Sequence, residues 1–319
     1  MLNRLSDSVV GMIYTLAAFV AWGVLPIYWY FLKGIPAYEI FAHRILWSFL
    51  FAAFILLLIG GWSQVKKVLA NRVQASWVFL AALLISANWF IFIWAVTSNH
   101  VIGASLGYYI NPLLSIALGV IIFREKLNHW KIISLLLAAT GVLIMTIQFG
   151  QIPWVALIIA STFALYGVVK KVVKVEPLVS VTLETFFILP LVLTYLTFLQ
   201  VKGTAAIGHV SLLETILLLG AGAVTALPLL WFSKGAQKVP LSTIGFLQYI
   251  NPTIQLLVGI YFFHETFTKT HLISFGFIWV ALTLFSLSQI NFKRYMQYRP
   301  WLKRTSPVMI QECEKSSCQ

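Results

Sequence analysis

Residues 73–123 contain no Asp, Glu, Lys or Arg. A surface facing water cannot be built from so long an uncharged stretch. A helix crossing roughly 30 Å of hydrocarbon, in contrast, needs about 20 apolar residues at 1.5 Å each. The stretch is too long for one crossing, and Thr97-Ser98-Asn99-His100 is its natural break. Similar runs lie at 11–32, 177–201 (with Glu184 alone), 215–233, 239–263 and 272–292. A run at 45–65 extends back to Ala37 if His43 and Arg44 lie inside the membrane. The run at 132–169 must turn, and Gly150-Gln151-Ile152-Pro153 supplies the turn chemistry. Continuously apolar runs satisfy their backbone groups only as helices, and they lack the alternation of a transmembrane β-barrel. The expectation is an all-α integral membrane protein with ten transmembrane helices.

Composition agrees. Only 10% of residues are charged and 60% are hydrophobic, against about a quarter charged in a soluble domain. Disorder, which needs low hydrophobicity, is excluded. The first run is longer than the apolar core of a cleaved signal peptide and reads as a retained helix. Cys313 and Cys318 at the far end suggest no disulfide framework.

The net charge of +13 would suggest nucleic acid in a soluble protein, but its placement says otherwise. Ten spans put both termini on one side. That side receives 18 of the 22 Lys and Arg, the other receives Lys33, Lys202 and Lys269, and Arg44 stays within a span. The positive-inside rule then places both termini in the cytoplasm. The charge sets orientation, and no nucleic-acid partner is expected.

Tyr109-Ile110-Asn111-Pro112 recurs as Tyr249-Ile250-Asn251-Pro252, 140 residues later. At the same offset Gly119 meets Gly259, Phe123-Arg124-Glu125 meets Phe263-His264-Glu265, and Ser134 meets Ser274. Near an offset of 144, Phe19, Trp22 and Gly23 meet Phe163, Tyr166 and Gly167. Spans 1–5 and 6–10 are therefore two copies of one unit. Five is odd, so the second copy enters the membrane inverted. The units run over 1–149 and 150–290, and 291–319 forms a cytoplasmic basic tail. Inverted-topology repeats are a signature of secondary transporters, because they permit two mirror-related conformations of similar energy.

Several separate motifs carry a family resemblance. They are Glu39-Ile40-Phe41-Ala42-His43-Arg44-Ile45-Leu46-Trp47-Ser48, Asn88-Trp89 with Ile93-Trp94-Ala95-Val96, and Ser105-Leu106-Gly107-Tyr108-Tyr109-Ile110-Asn111-Pro112-Leu113. Glu184-Thr185, Thr225-Ala226-Leu227-Pro228-Leu229-Leu230-Trp231-Phe232 and Gln248-Tyr249-Ile250-Asn251-Pro252-Thr253 belong with them. Over about 10–290 the chain resembles the RarD branch of the EamA family, within the drug/metabolite transporter superfamily. The resemblance implies ten helices in two five-helix units, a bacterial inner (plasma) membrane location and export of small metabolites or drugs. It implies a central cavity lined by the first four helices of each unit. The branch is linked by name to chloramphenicol sensitivity.

Ionisable groups inside lipid are expensive and are functional candidates by default. His43 and Arg44 lie about six residues from the outer end of span 2, and Glu184 about six from the inner end of span 7. An offset of 141 makes them pseudo-symmetric partners. About 12 Å should separate Arg44 from Glu184 along the membrane normal, too far for a salt bridge. Arg44 would offer a fixed cation and Glu184 a group able to take a coupling proton. The Asn-Pro pairs should break spans 4 and 9 and turn Asn111 and Asn251 toward the cavity. Tyr108, Tyr109, Gln248 and Tyr249 extend that stripe. Asn88 joins the cavity set, with Trp22, Trp89 and Trp94, which lie deep; Trp62, Trp77, Trp130 and Trp154 lie near span ends, as interfacial anchors do.

Two motifs mislead. Gly103-Ala104-Ser105-Leu106-Gly107 matches a hydrolase nucleophile elbow but opens a transmembrane helix, where a small-residue packing seam explains it. His264-Glu265-Thr266-Phe267-Thr268 lacks the second histidine of a zinc site, and no Gly-Lys dipeptide occurs, so no Walker A loop is present. No metal or cofactor is expected. A membrane enzyme would need clustered acids or a nucleophile–base pair at one depth. A channel or a non-transporting adaptor is the alternative to a transporter, and an adaptor leaves His43, Arg44 and Glu184 without a reason.

Overall fold

The computed structural model describes residues 6–97, 101–150, 152–264 and 268–289. Among them the regular elements are all helices: α1 (Asp7–Tyr30), α2 (Ala37–Leu58), α3 (Trp62–Ala70), α4 (Arg72–Thr97), α5 (Val101–Phe123), α6 (His129–Phe149), α7 (Trp154–Val172), α8 (Pro177–Val201), α9 (Leu212–Lys238), α10 (Leu241–Gln248), α11 (Ile250–Tyr261) and α12 (Lys269–Gln289). The tail with Cys313 and Cys318, most of the Thr97–His100 break and residues 265–267 of the false zinc motif lie outside the described residues.

Nine of these helices are long and apolar enough to cross a membrane. In place of the expected span over 239–263 stand α10 and α11, which meet at Tyr249. Neither is long enough to cross alone, so nine continuous spans, not ten, are present among the described residues. Pro252 explains where α11 begins. It occupies the first turn, where a backbone N–H has no partner within the helix and its loss is harmless. The expected twin break is absent, because α5 runs unbroken through Pro112. There α10 crosses α5 at Gly245, where an added Cβ would stand 2.7 Å from the Pro112 carbonyl oxygen. The run at 45–65 is also divided. α2 stops at Leu58, Gly60 turns the chain at φ 67°, and α3 follows with Val65 and Val68 buried while Lys66 and Lys67 face outward.

Local chemistry sets the other ends. Asn128 caps α6 by accepting from the Lys131 N–H, and Gly150 ends that helix at φ 73°. Ser211 and Glu214 cap α9 reciprocally. Glu176 caps α8, with Pro177 in its first position.

The packing is that of two repeats. α1 packs on α9 as α7 packs on α4; α2 on α9 as α8 on α4; α5 on α7 as α1 on α11. Three pairings map onto themselves: α2 with α8, α5 with α10, and α6 with α12. The repeat reaches single backbone angles. Arg124 and His264, 140 residues apart, are the non-glycine residues with positive φ among those described, at 52° and 55°.

The outer faces are apolar. Leu57, Leu58, Leu136, Ile147, Leu191 and Leu287 are all exposed, as lipid contact requires. In lipid, helices gain nothing by hiding apolar area, so close packing and interhelical hydrogen bonds hold them. Gly222 shows the device. It lies directly against the backbone of Trp47, and its carbonyl accepts the Ser48 hydroxyl at 3.0 Å. Gly107 similarly lets α5 approach Ile159 and Ala156 of α7, in keeping with a packing seam at that stretch.

Candidate functional site

A cavity of about 150 Å³ lies between the repeats. α1 supplies Phe19, Trp22, Leu25, Pro26 and Trp29, and α2 supplies Arg44. Asn88, Trp89 and Phe92 come from α4, Tyr108 and Asn111 from α5, and Phe163 from α7. Gln248 ends α10, and Asn251 and Gln255 stand on α11. The spacing is that of helix faces: steps of three or four residues connect the cavity positions on α1, α5 and α10–α11, with Leu25 and Pro26 adjacent on α1.

Arg44 is the charged side chain among these lining residues. Its Nε donates to Thr225 Oγ1 at 3.1 Å. Its guanidinium carbon lies 4.5 Å from the centre of the Trp89 ring and 4.7 Å from that of Trp29. Among the described residues no carboxylate comes within ion-pair distance of it. Two indoles therefore stabilise the cation without neutralising it. Among the described residues Thr225 is the hydrogen-bond acceptor of this guanidinium, and Arg44 lines the cavity.

The amides are pre-arranged. Asn88 Nδ2 donates to the Ile159 carbonyl at 2.7 Å and to Thr162 at 3.0 Å, tying α4 to α7. Ser115 Oγ lies 3.3 Å from Asn111 Oδ1 and 3.4 Å from Gln248 Oε1, joining α5 to α10 at the point where α10 ends. Gln255 Nε2 donates to Asn251 Oδ1 at 2.9 Å.

Below the cavity the floor is aromatic. Trp22 meets Phe163 edge-on at 5.6 Å, and Phe232 lies 5.7 Å from Trp22 and 5.4 Å from Phe163. Tyr166 stacks on Phe232 at 5.8 Å and lies 5.9 Å from Phe163. Beyond that floor sits Glu184. Its Oε1 accepts from Lys170 Nζ and from Ser180 Oγ, each at 2.6 Å, and its Oε2 accepts from Tyr166 at 3.0 Å.

The structure thus gathers Arg44, Asn111, Asn251, Gln248, Trp22, Asn88 and Trp89 at one cavity, and leaves five expected residues elsewhere. Glu184 is not a lone acid facing substrate. Lys170, assigned to a cytoplasmic loop by its charge, is instead in the last turn of α7 and buried against it. A carboxylate in lipid needs a cation, and the lysine just across the α7–α8 turn is long enough to supply one. His43 is one residue from Arg44, about 100° around the helix. It points to Glu39, whose Oε1 lies 3.8 Å from Nε2 and also accepts the Ala206 N–H. Tyr109 and Tyr249 fail for the same reason, each being adjacent to a cavity residue. Tyr109 meets Phe275 at 5.4 Å, and Tyr249 is fully buried among Ala138, Val142 and Ile278. Trp94 packs on Trp154 at 5.6 Å, on another face of α4. Tyr108, expected on the Asn111 stripe, also lines the cavity, and Trp29, Gln255, Phe19, Leu25, Pro26, Phe92 and Phe163 line it without having been singled out for it in the sequence. Trp29 and Gln255 follow from Trp22 and Asn251 by helical spacing, and Tyr108 precedes Asn111 by three.

At the end of the molecule that holds Lys171, a second junction joins the repeats. Glu125 accepts the N–H groups of Leu241 and Ser242 at 2.7 and 2.8 Å, capping α10 from the end of α5. Lys171 lies 3.9 Å from Glu125 and donates to the Val239 carbonyl at 2.7 Å.

The chain matches the EamA-like transporter family twice, over residues 9–147 and 152–287. It is 45% identical to the uncharacterized transporter YojE of Bacillus subtilis, covering 89% of this chain and 96% of that one. It is 39% identical to Protein RarD of Salmonella typhi, covering 89% and 97%. A solved crystal structure at 15% identity superposes with a TM-score of 0.67 over 90% of this chain and 100% of its own. At that identity the likeness concerns the fold alone.

Proposed function

Because this chain belongs to the EamA-like transporter family, whose members are multi-pass membrane transporters and not enzymes, we propose that it exports small metabolites or drugs by alternating access about the Arg44 cavity. The observation that carries this reading is the composition of the cavity wall. α1, α2, α4 and α5 of the first repeat and α7, α10 and α11 of the second all contribute to it. A site shared by two repeats can be opened from either side by rocking one against the other.

Three further assignments belong to this reading. α10 and α11 together make the tenth crossing, so that each repeat has five and the second is inverted. The units then run over 1–149 and 150–290, before a cytoplasmic tail at 291–319. Both termini face the cytoplasm of a bacterial cell, with the Glu125–Lys171 junction at the inner end and the cavity in the outer half. The conformer described is then closed to the cytoplasm.

A proton-carrying role for Glu184 fits this geometry poorly, since Lys170 already compensates its charge. Transport by exchange or down the solute's own gradient requires no such group. Counterflow of a panel of labelled metabolites in proteoliposomes tests the proposal. Accelerated exchange of one class supports it. Exchange of none, or conduction at channel rates, opposes it.

A further inference from the structure

We infer that the cavity selects a compact aromatic monocarboxylate that carries no ammonium group. This deepens the transporter reading above and rests on it.

Charge comes first. Arg44 brings a positive charge into the interior of a membrane protein, and no carboxylate among the described residues pairs with it. An uncompensated buried charge is costly, and a substrate anion would remove that cost. Geometry narrows the anion. Nε is engaged by Thr225, and the guanidinium carbon lies over two indoles. The remaining donors are the Nη hydrogens along one planar edge, which match the two oxygens of a carboxylate.

The rest of the wall decides between an anion and a zwitterion. An α-ammonium group needs a carboxylate or several free carbonyl oxygens. None of the lining residues is Asp or Glu. The amide oxygens of the wall are neutral, and some are engaged: Asn251 Oδ1 accepts from Gln255, and the single Ser115 hydroxyl serves Asn111 Oδ1 or Gln248 Oε1. An amino acid would bring its ammonium group beside the Arg44 cation with no counter-charge in the wall to neutralise it. The wall is otherwise aromatic, with Phe19, Trp22, Trp29, Trp89, Phe92 and Phe163, and it favours a planar ring through stacked and edge contacts. The volume of about 150 Å³ lies below the roughly 300 Å³ at which drug-sized pockets begin. One ring with one carboxylate is the scale it accepts. An anion leaving a cell with a negative interior is also driven by the potential itself, so its export needs no coupled proton.

The test is calorimetric binding to the purified full chain, with benzoate, benzamide, benzylamine and phenylalanine as probes. Benzoate should bind at least about tenfold more tightly than the other three. Asn251→Asp places a carboxylate in the same cavity and keeps Arg44, and it should weaken benzoate by at least about tenfold. Arg44→Gln should do the same if it folds; Asn251→Asp decides the matter if it does not. Equal binding of benzamide or phenylalanine would overturn the inference, as would absence of benzoate binding or an unchanged affinity in Asn251→Asp. Counterflow separates the two readings. Binding of benzoate without exchange rejects transport and keeps the anion site. Exchange of neutral or cationic solutes without benzoate binding does the reverse.

Discussion

Lys170 and Glu184 form an ion pair of 2.6 Å that is buried almost completely, with side chains 1% and 3% exposed. Ser180 and Tyr166 complete the carboxylate's hydrogen bonds. Fourteen residues apart, the two pin α7 to α8 beneath the aromatic floor of the cavity. Removing one member leaves an uncompensated charge or an empty partner, which typically costs about 3–5 kcal/mol, whereas replacing both by apolar groups is often near neutral.

The first prediction follows from that asymmetry. Glu184→Gln and Lys170→Met should each lower the thermal stability of the detergent-solubilised protein by many degrees. The double variant Lys170→Met/Glu184→Leu should recover most of the loss. A Glu184→Gln protein of wild-type stability that has lost uphill transport would instead reinstate the carboxylate as a proton carrier.

Glu125 carries the second. Its carboxylate accepts two backbone N–H groups at the start of α10, and charge-assisted bonds of this kind are worth roughly 1.5–3 kcal/mol each. Glu125→Ala should free α10 and shift the conformational balance toward the cytoplasm-open state by about tenfold or more. A cysteine at Ser115, which bridges α5 to α10, should then react faster with a membrane-impermeant thiol reagent applied from the cytoplasmic side. An unchanged rate would mean that the junction does not hold that side closed.

Orientation gives the third. A reporter fused after Lys67 or Lys171 should be cytoplasmic, and one after Gly203 periplasmic. Two reversed reporters would sink the assignment of both termini to the cytoplasm.

What was legible in the sequence was whatever the bilayer imposes locally. Uncharged runs mark nine of the helices, and the 140-residue offset exposes the repeat down to the matching φ at Arg124 and His264. The difference between the two Tyr-Ile-Asn-Pro segments was not legible. Identical residues run through the middle of a helix at Pro112 and lie in the first turn of one at Pro252, so their surroundings decide. The cavity was half legible. Reading tyrosine doublets and His43-Arg44 as single stripes ignored the 100° between neighbours. Stepping by four or seven from Trp22 and Asn251 would have reached Trp29 and Gln255. Lys170 was hidden because the positive-inside rule counts lysines at helix ends as loop charges.

The most direct measurement of the central claim concerns the face from which the cavity is reached. Single cysteines at Asn111 and Asn251, both of which line it, are labelled in right-side-out and in inside-out vesicles with a small membrane-impermeant reagent. The account predicts reaction chiefly from the periplasmic face in the otherwise unaltered chain, moving to the cytoplasmic face when Glu125→Ala is added. Cysteine at Tyr249, buried away from the cavity, should stay unreactive throughout. Simultaneous reaction from both faces would describe a channel, and inertness of Asn111→Cys and Asn251→Cys in every vesicle would contradict the account.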